Sequence, residues 1–160
     1  MASTSNNELA EIAAQLLNDS GSGALATVSA KHDGFPFASH SAFSAIANQQ
    51  SANQQSTSTK LPIPIFLFSD LSVHSKNLRK NTNATLLIKA GNEMQQGRAS
   101  IMGIIERLDE KLVDQARQSY LAKHPDAAQW MSFGDFHFYA MAIVDCYVVA
   151  GFGKAGWVKQ

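Results

Sequence analysis

Ser72, His74, Ser75 and Lys76 crowd into one short stretch, Ser69-Asp-Leu-Ser-Val-His-Ser-Lys-Asn-Leu-Arg-Lys-Asn81. It follows the apolar run Ile63-Pro-Ile-Phe-Leu-Phe68, which predicts a strand leading into a short helix over about 71–80. A helix start offers unpaired N–H groups and the positive end of the dipole. Hydroxyls, an imidazole and an ammonium around such a start make a cradle for phosphate. The chemistry this predicts is capture of a phosphorylated cofactor. The bland alternative is an ordinary capped helix, because serine and aspartate are favoured there for capping alone.

Other chemistries find less support. The five histidines lack His-x-x-x-His spacing and no acidic cluster accompanies them, so no metal site is expected. No Gly-x-Ser-x-Gly elbow exists to activate a serine. Gly151-Phe-Gly-Lys-Ala155 is too short for a dinucleotide fingerprint and is read as a turn. Tyr120, Trp130, Phe133, Phe136, Phe138 and Tyr139 form an aromatic concentration, expected to pack in the core or at an interface.

The elements that must position these residues follow from periodicity. Ser5 to Glu8 has capping-box spacing, and Leu9, Ile12, Ala13, Leu16 and Leu17 then recur at helical intervals. Residues 24–30 read as a strand. Asp33-Gly34 is a hairpin turn, and the return strand runs from Phe35 to about Ile46. The Asn/Gln/Ser-rich segment 47–60 reads as a mobile surface loop. Strands are expected at 62–69, 83–90, 97–108 and 136–150, with a bulge or close backbone approach at Gly103. A helix covers 109–123, and Pro125 ends it. The expectation is one α+β domain of six mostly hairpin-linked strands, curled into a closed or partly closed antiparallel barrel.

Composition bounds the rest. The chain has 160 residues, 45% of them hydrophobic, and its 13 basic and 13 acidic residues cancel. Such a balance argues against a nucleic-acid partner. No apolar run reaches membrane-spanning length, and no basic-then-apolar leader opens the sequence. Cys146, the lone cysteine, sits in an apolar run and is read as a buried thiol. A cytoplasmic protein without membrane association is the expectation.

The order Gly23-Ala-Leu-Ala-Thr-Val28, Asp33-Gly-Phe-Pro36, Ser39 and Ser69 to Leu78 resembles the pyridoxamine 5′-phosphate oxidase-like split-barrel superfamily. More narrowly, it is similar to the haem-utilisation-type subgroup. Arg98 with Gly103, Tyr120-Leu-Ala-Lys-His-Pro125, Asp135-Phe136 and Gly151 to Ala155 agree, so the resemblance covers about residues 8–158. It implies a six-stranded split barrel that forms a homodimer, with FMN in clefts at the interface and a small-molecule redox substrate. Carried over, Ser39, His40 and Ser41 would line the flavin ring edge, and Ser69 would stand beside the ribityl chain. Ser72, His74, Ser75 and Lys76 would surround the phosphate. Asn77 would support that loop, and Arg98 would add a charge from the next strand.

Two departures matter. The oxidases carry a lysine where His74 stands, and their C-terminal arginine and histidine substrate motif is absent, so pyridoxamine phosphate is not the implied substrate. Haem-degrading relatives take an iron ligand from a C-terminal histidine, whereas no histidine follows His137 here. The alternative implied by the resemblance is a haem-binding protein on the same fold, with His40 or His137 near the iron.

Overall fold

The computed structural model describes residues 6–48, 60–91, 97–151 and 153–158. The cap expected at Ser5 and most of the low-complexity segment lie outside them. Helix α1 (Asn6–Asp19) is followed by strands β1 (Ser22–Val28), β2 (Pro36–Ala42), β3 (Ser44–Ile46) and β4 (Ile63–Ser69). Then come α2 (Val73–Leu78), β5 (Asn83–Lys89), β6 (Arg98–Arg107), α3 (Val113–Lys123), β7 (Phe136–Gly151) and β8 (Lys154–Trp157). Short 3-10 turns, Glu110–Leu112 and Pro125–Gln129, flank α3.

Every strand pairing is antiparallel, in the order β2-β1-β5-β6-β7-β4-β3, and β8 pairs with β7. The architecture is α+β, a curled antiparallel sheet with three helices. Eight strands stand among the described residues where six were expected. The run from Phe35 to Ile46 breaks at Phe43 into β2 and β3, and the turn after Gly151 continues into the four-residue β8.

That break forces the curl. β2 and β3 are the two outer strands of the seven-strand path, yet one residue, Phe43, separates them. A flat sheet would hold their axes about 29 Å apart, six spacings of about 4.8 Å. A single residue spans less than about 4 Å, so the sheet rolls until its edges meet. Phe43 is fully buried at this closure. Its N–H donates to the Gly21 carbonyl at 2.9 Å, and its own carbonyl accepts from His124 Nε2 at 2.9 Å.

The main core fills the curl. Phe43, Phe66, Leu25, Leu86, Ile88, Ile101, Met141 and Val148 meet Leu9, Ala13 and Leu17 of α1. A second cluster lies outside it, where α3 covers β3, β4 and β7 with Ala116 and Tyr120 against Ile65, Leu67 and Phe138. β4 therefore carries core on both faces, as its unbroken apolar run requires. Of the aromatic group, Tyr120, Phe138 and Tyr139 are buried as expected, whereas Trp130 and Phe133 are exposed. Cys146 is buried too, and burial with Asp145 alongside pushes its thiol up to about 12.

Gly103 sits where a close approach was expected. The β6–β7 register shifts between Met102 and Gly103, leaving Val144 as an extra residue on β7. A Cβ at Gly103 would lie 2.5 Å from the Ala142 carbonyl oxygen. Gly103→Ala must push these strands apart, and we expect a loss of about 1–3 kcal/mol in denaturant unfolding. A wild-type midpoint in that variant would refute the close-packing reading.

Candidate functional site

The β4–α2 junction is built from its own hydroxyls. Ser72 caps α2: its Oγ accepts from the Ser75 N–H at 3.2 Å and donates to the Ser75 hydroxyl at 2.8 Å. Ser75 is 1% exposed, so its hydroxyl serves the cap and cannot reach an external phosphate. Asn77, also 1% exposed, accepts from the Ala30 N–H at 2.8 Å and donates to Thr27 Oγ1 at 2.9 Å. It ties α2 to the β1–β2 hairpin. Ser69 Oγ donates to the Asp135 carboxylate and accepts from the Leu71 N–H. Lys76 alone of this group is exposed.

His74 turns inward. Its ring lies 4.3 Å from that of Phe68, and Nδ1 is 3.4 Å from Ser39 Oγ. Burial holds its pKa below the ordinary 6.5, so the imidazole is neutral at pH 7. A neutral ring brings no positive charge to a phosphate. The compact cradle is thereby corrected: Ser75 and His74 point into the fold, leaving Ser72 and Lys76 at its rim.

Asp70 holds the same junction by charge. Its carboxylate lies 3.3 Å from Arg107, 3.5 Å from Arg79 and 3.2 Å from His137 Nε2. Its N–H donates to the Asp135 carbonyl at 2.7 Å. His137 is thus committed to an ion-pair cluster binding β4, β6 and β7 together.

Consecutive residues of a strand face opposite ways. Ser39 and Ser41 accordingly share the inner face of β2, and His40 takes the outer one. Ser41 is 4% exposed, and its hydroxyl finds no partner among the described residues. The side chains of the three therefore do not share one face, and only the backbone of this stretch could meet a ligand at all three residues. Arg98 is also far from α2. The β5–β6 ladder pairs it with Lys89 at one end, and α2 adjoins the other end, near Ile104. Six residues of strand separate Arg98 from Ile104, about 20 Å.

The outer face brings a different set together. Cross-strand pairing puts His40, Ala24, Leu87, Ser100, Tyr147 and Trp157 on one row. The next row holds Ala38, Ala26, Thr85 and Met102. Lys89 and Arg98 face each other in the ladder on the opposite side of the first row. Ala24, Ala26 and Ala38 make a low floor beside His40, an exposed imidazole with no hydrogen-bond or ionic partner among the described residues. Leu87, Met102, Ile104, Val144 and Trp157 are exposed on this face. A cleft of about 550 Å³ opens along it between Ala26, Pro36, Met102 and Val144. A larger cleft of about 760 Å³ lies between β3–β4 and the start of α3. None of the ten residues singled out from the sequence lines either cleft.

Sequence reasoning found His40 but missed its neighbours. The available signal was the small residues at alternate positions of β1 and β2, which mark one low sheet face. No group of three potential metal ligands occurs among the described residues. No helix there is long and apolar enough to cross a membrane.

Comparison with known proteins adds four findings. The family described as "CREG, beta-barrel" matches residues 4–160. The non-canonical heme oxygenase HOZ, a chloroplastic protein of Arabidopsis thaliana, is 36% identical over 124 residues, covering 77% of this chain. The chain spans 34% of the length of that curated relative. The heme binding protein from Mycobacterium smegmatis superposes with a TM-score of 0.75 at 22% identity, covering 98% of this chain and 59% of that one. Campylobacter jejuni ChuZ superposes at 0.70 and 19% identity, covering 96% and 58%. At these identities the two structures speak for the fold alone.

The buried state of His74 sets a sign for its effect on stability. Its folded pKa lies below the unfolded 6.5, so the unfolded chain takes up the proton first. Its contribution is complete above pH 6.5 and is lost as pH falls below that value. His74→Gln should flatten the decline of the melting temperature below pH 6.5. An unchanged pH profile would show that the ring is not held neutral by the fold.

Proposed function

The chain belongs to the CREG β-barrel family, and from that premise we propose that it is a haem-handling protein whose outer sheet face receives a flat, anionic tetrapyrrole. The observation that carries this reading is His40, an exposed imidazole standing beside the Ala24, Ala26 and Ala38 floor. The other four histidines suit iron less well. His74 is packed on Phe68, His124 is bonded to the Phe43 carbonyl and His137 is paired with Asp70. His32 lies on the turn after β1.

The donor set fits the group. An imidazole is a common haem ligand, small side chains let a planar ring lie close, and Leu87 and Met102 offer apolar contact. Lys89 and Arg98 supply positive charge for carboxylates from the neighbouring row. Arg98 thus keeps a binding role, toward the outer face rather than α2. The similarity to the Arabidopsis non-canonical heme oxygenase points the same way. When bound, haem would supply iron-centred redox chemistry, while this chain would orient it and shield one face from water.

A second reading keeps FMN and a small oxidoreductase. It is favoured by Ser72 and the exposed Lys76 at the α2 rim, which remain placed to meet a phosphate.

Both readings gain from a second copy of the chain. Met102, Ile104 and Val144 leave an apolar ridge exposed on the outer face, and a homodimer formed there would enclose the ligand between copies.

Hemin titration tests the ligand. We expect a Soret band for the wild type, and a weakening of roughly tenfold or more with an altered spectrum in His40→Ala. An unaltered spectrum and affinity in that variant would remove His40 from the site. Flavin bands from the purified protein, with FMN released on heating, would favour the second reading. For the dimer, Val144→Arg should shift the mass measured by light scattering from two chains to one. A wild type that is already monomeric would dispose of the homodimer.

A further inference from the structure

The exposed large hydrophobic residues divide into two sets. Leu87, Met102, Ile104, Val144 and Trp157 belong to the outer sheet face already described. Phe35, Leu71, Val73, Trp130 and Phe133 all stand at the α2 end of the barrel. Phe35 closes the β1–β2 turn, whose Ala30 is bonded to Asn77 and Lys80 of the α2 segment. Leu71 lies on the β4–α2 turn, and Val73 opens α2. Asp70 joins that turn to Asp135, beside Phe133, and the Phe133 N–H donates to the Trp130 carbonyl. Three turns from distant parts of the sequence therefore present apolar side chains at one end of the molecule.

We propose that this end docks on a lipid surface carrying anionic headgroups. Leu71 is 73% exposed, Phe35 69% and Phe133 56%, levels that soluble contact with water alone does not favour for three neighbouring turns. None of the five lines either cleft; they stand as separate tips on the turns. Separate apolar tips with a tryptophan among them instead match the boundary between headgroups and acyl chains, where an amphipathic indole is favoured.

The charges agree. Lys31, Lys76, Arg79 and Lys80 are exposed on the same turns and on the α2 segment. Of the carboxylates there, Asp70 is held by Arg79 and Arg107, and Asp135 accepts from Ser69. Asp33 is the remaining acid on these turns, against Lys31, Lys76 and Lys80. This is surface contact by loops, a different matter from a spanning helix, and it does not depend on the outer-face ligand.

The sequence holds two tryptophans, Trp130 and Trp157, so Trp157→Phe leaves Trp130 as the sole indole reporter. The full chain carrying that change is mixed with vesicles of phosphatidylcholine alone, or with roughly a third phosphatidylserine. We expect pelleting and a blue-shifted Trp130 emission with the anionic vesicles, both weakened by salt. Leu71→Ser with Phe133→Ser should cost roughly tenfold or more in binding. Lys76→Gln with Lys80→Gln should cost roughly fivefold per lysine, without touching the apolar tips. Absence of pelleting with anionic vesicles at low salt overturns the proposal, as does wild-type binding by both double variants. Loss of self-association in the apolar variant, with vesicles ignored by every form, would assign the patch to a protein contact and overturn it equally.

Discussion

The closure at Phe43 is the constraint on which the remaining structure depends. Two strands at opposite edges of the hydrogen-bonded path are neighbours in sequence, so the sheet has no flat solution. Everything at that junction is correspondingly over-determined. The backbone of Phe43 is bonded on one side to the turn after α1 and on the other to His124 at the end of α3. Lys123 adds bonds to the carbonyls of Asn18 and Ser20, where the C-terminal end of α1 favours a cation. The two helices are thus fastened to the seam rather than merely laid on the sheet.

The curl also separates the two kinds of surface. Its inner face is filled by apolar side chains from β1, β4, β5, β6 and β7, which leaves the outer face of β2, β1, β5, β6 and β7 to carry alternating small and large residues. At one end, α2 is short and gains its stability from tertiary contacts. Asn77 and Asp70 supply them, the first buried among neutral partners and the second shared by two guanidinium groups and an imidazole. A six-residue helix would not persist without such anchors.

Much of this was legible in the sequence, and the failures have physical causes. Asp33-Gly34 announced its hairpin because Gly34 adopts a φ of 70°, and Gly103 announced a crowded bulge. The segment from Ser69 to Asn77 reads correctly as a strand end leading into a short helix, although the helix opens at Val73 rather than at about 71. Its side-chain directions were not legible, because a hydroxyl that caps its own helix looks in sequence like one that awaits a ligand. Ser75 and Asn77 illustrate this, since both are polar and both are buried. Reading Ser39, His40 and Ser41 as one group overlooked strand alternation. β3 and β8 were hidden for a simpler reason. Three and four residues are too few to display a period, and tertiary pairing alone defines them.

β7 has a consequence for how the molecule comes into being. Its first part pairs with β4, its middle with β6 and its last part with β8, and its sixteen residues begin only at Phe136. Until that strand is made, a nascent chain can assemble β1, β2, β5 and β6 but cannot join β4 to them. The edge of β4 that pairs with β7 must therefore wait in the open during synthesis. Pairings between residues so distant in sequence are slow to form, and this interval is when the chain most needs protection from its neighbours.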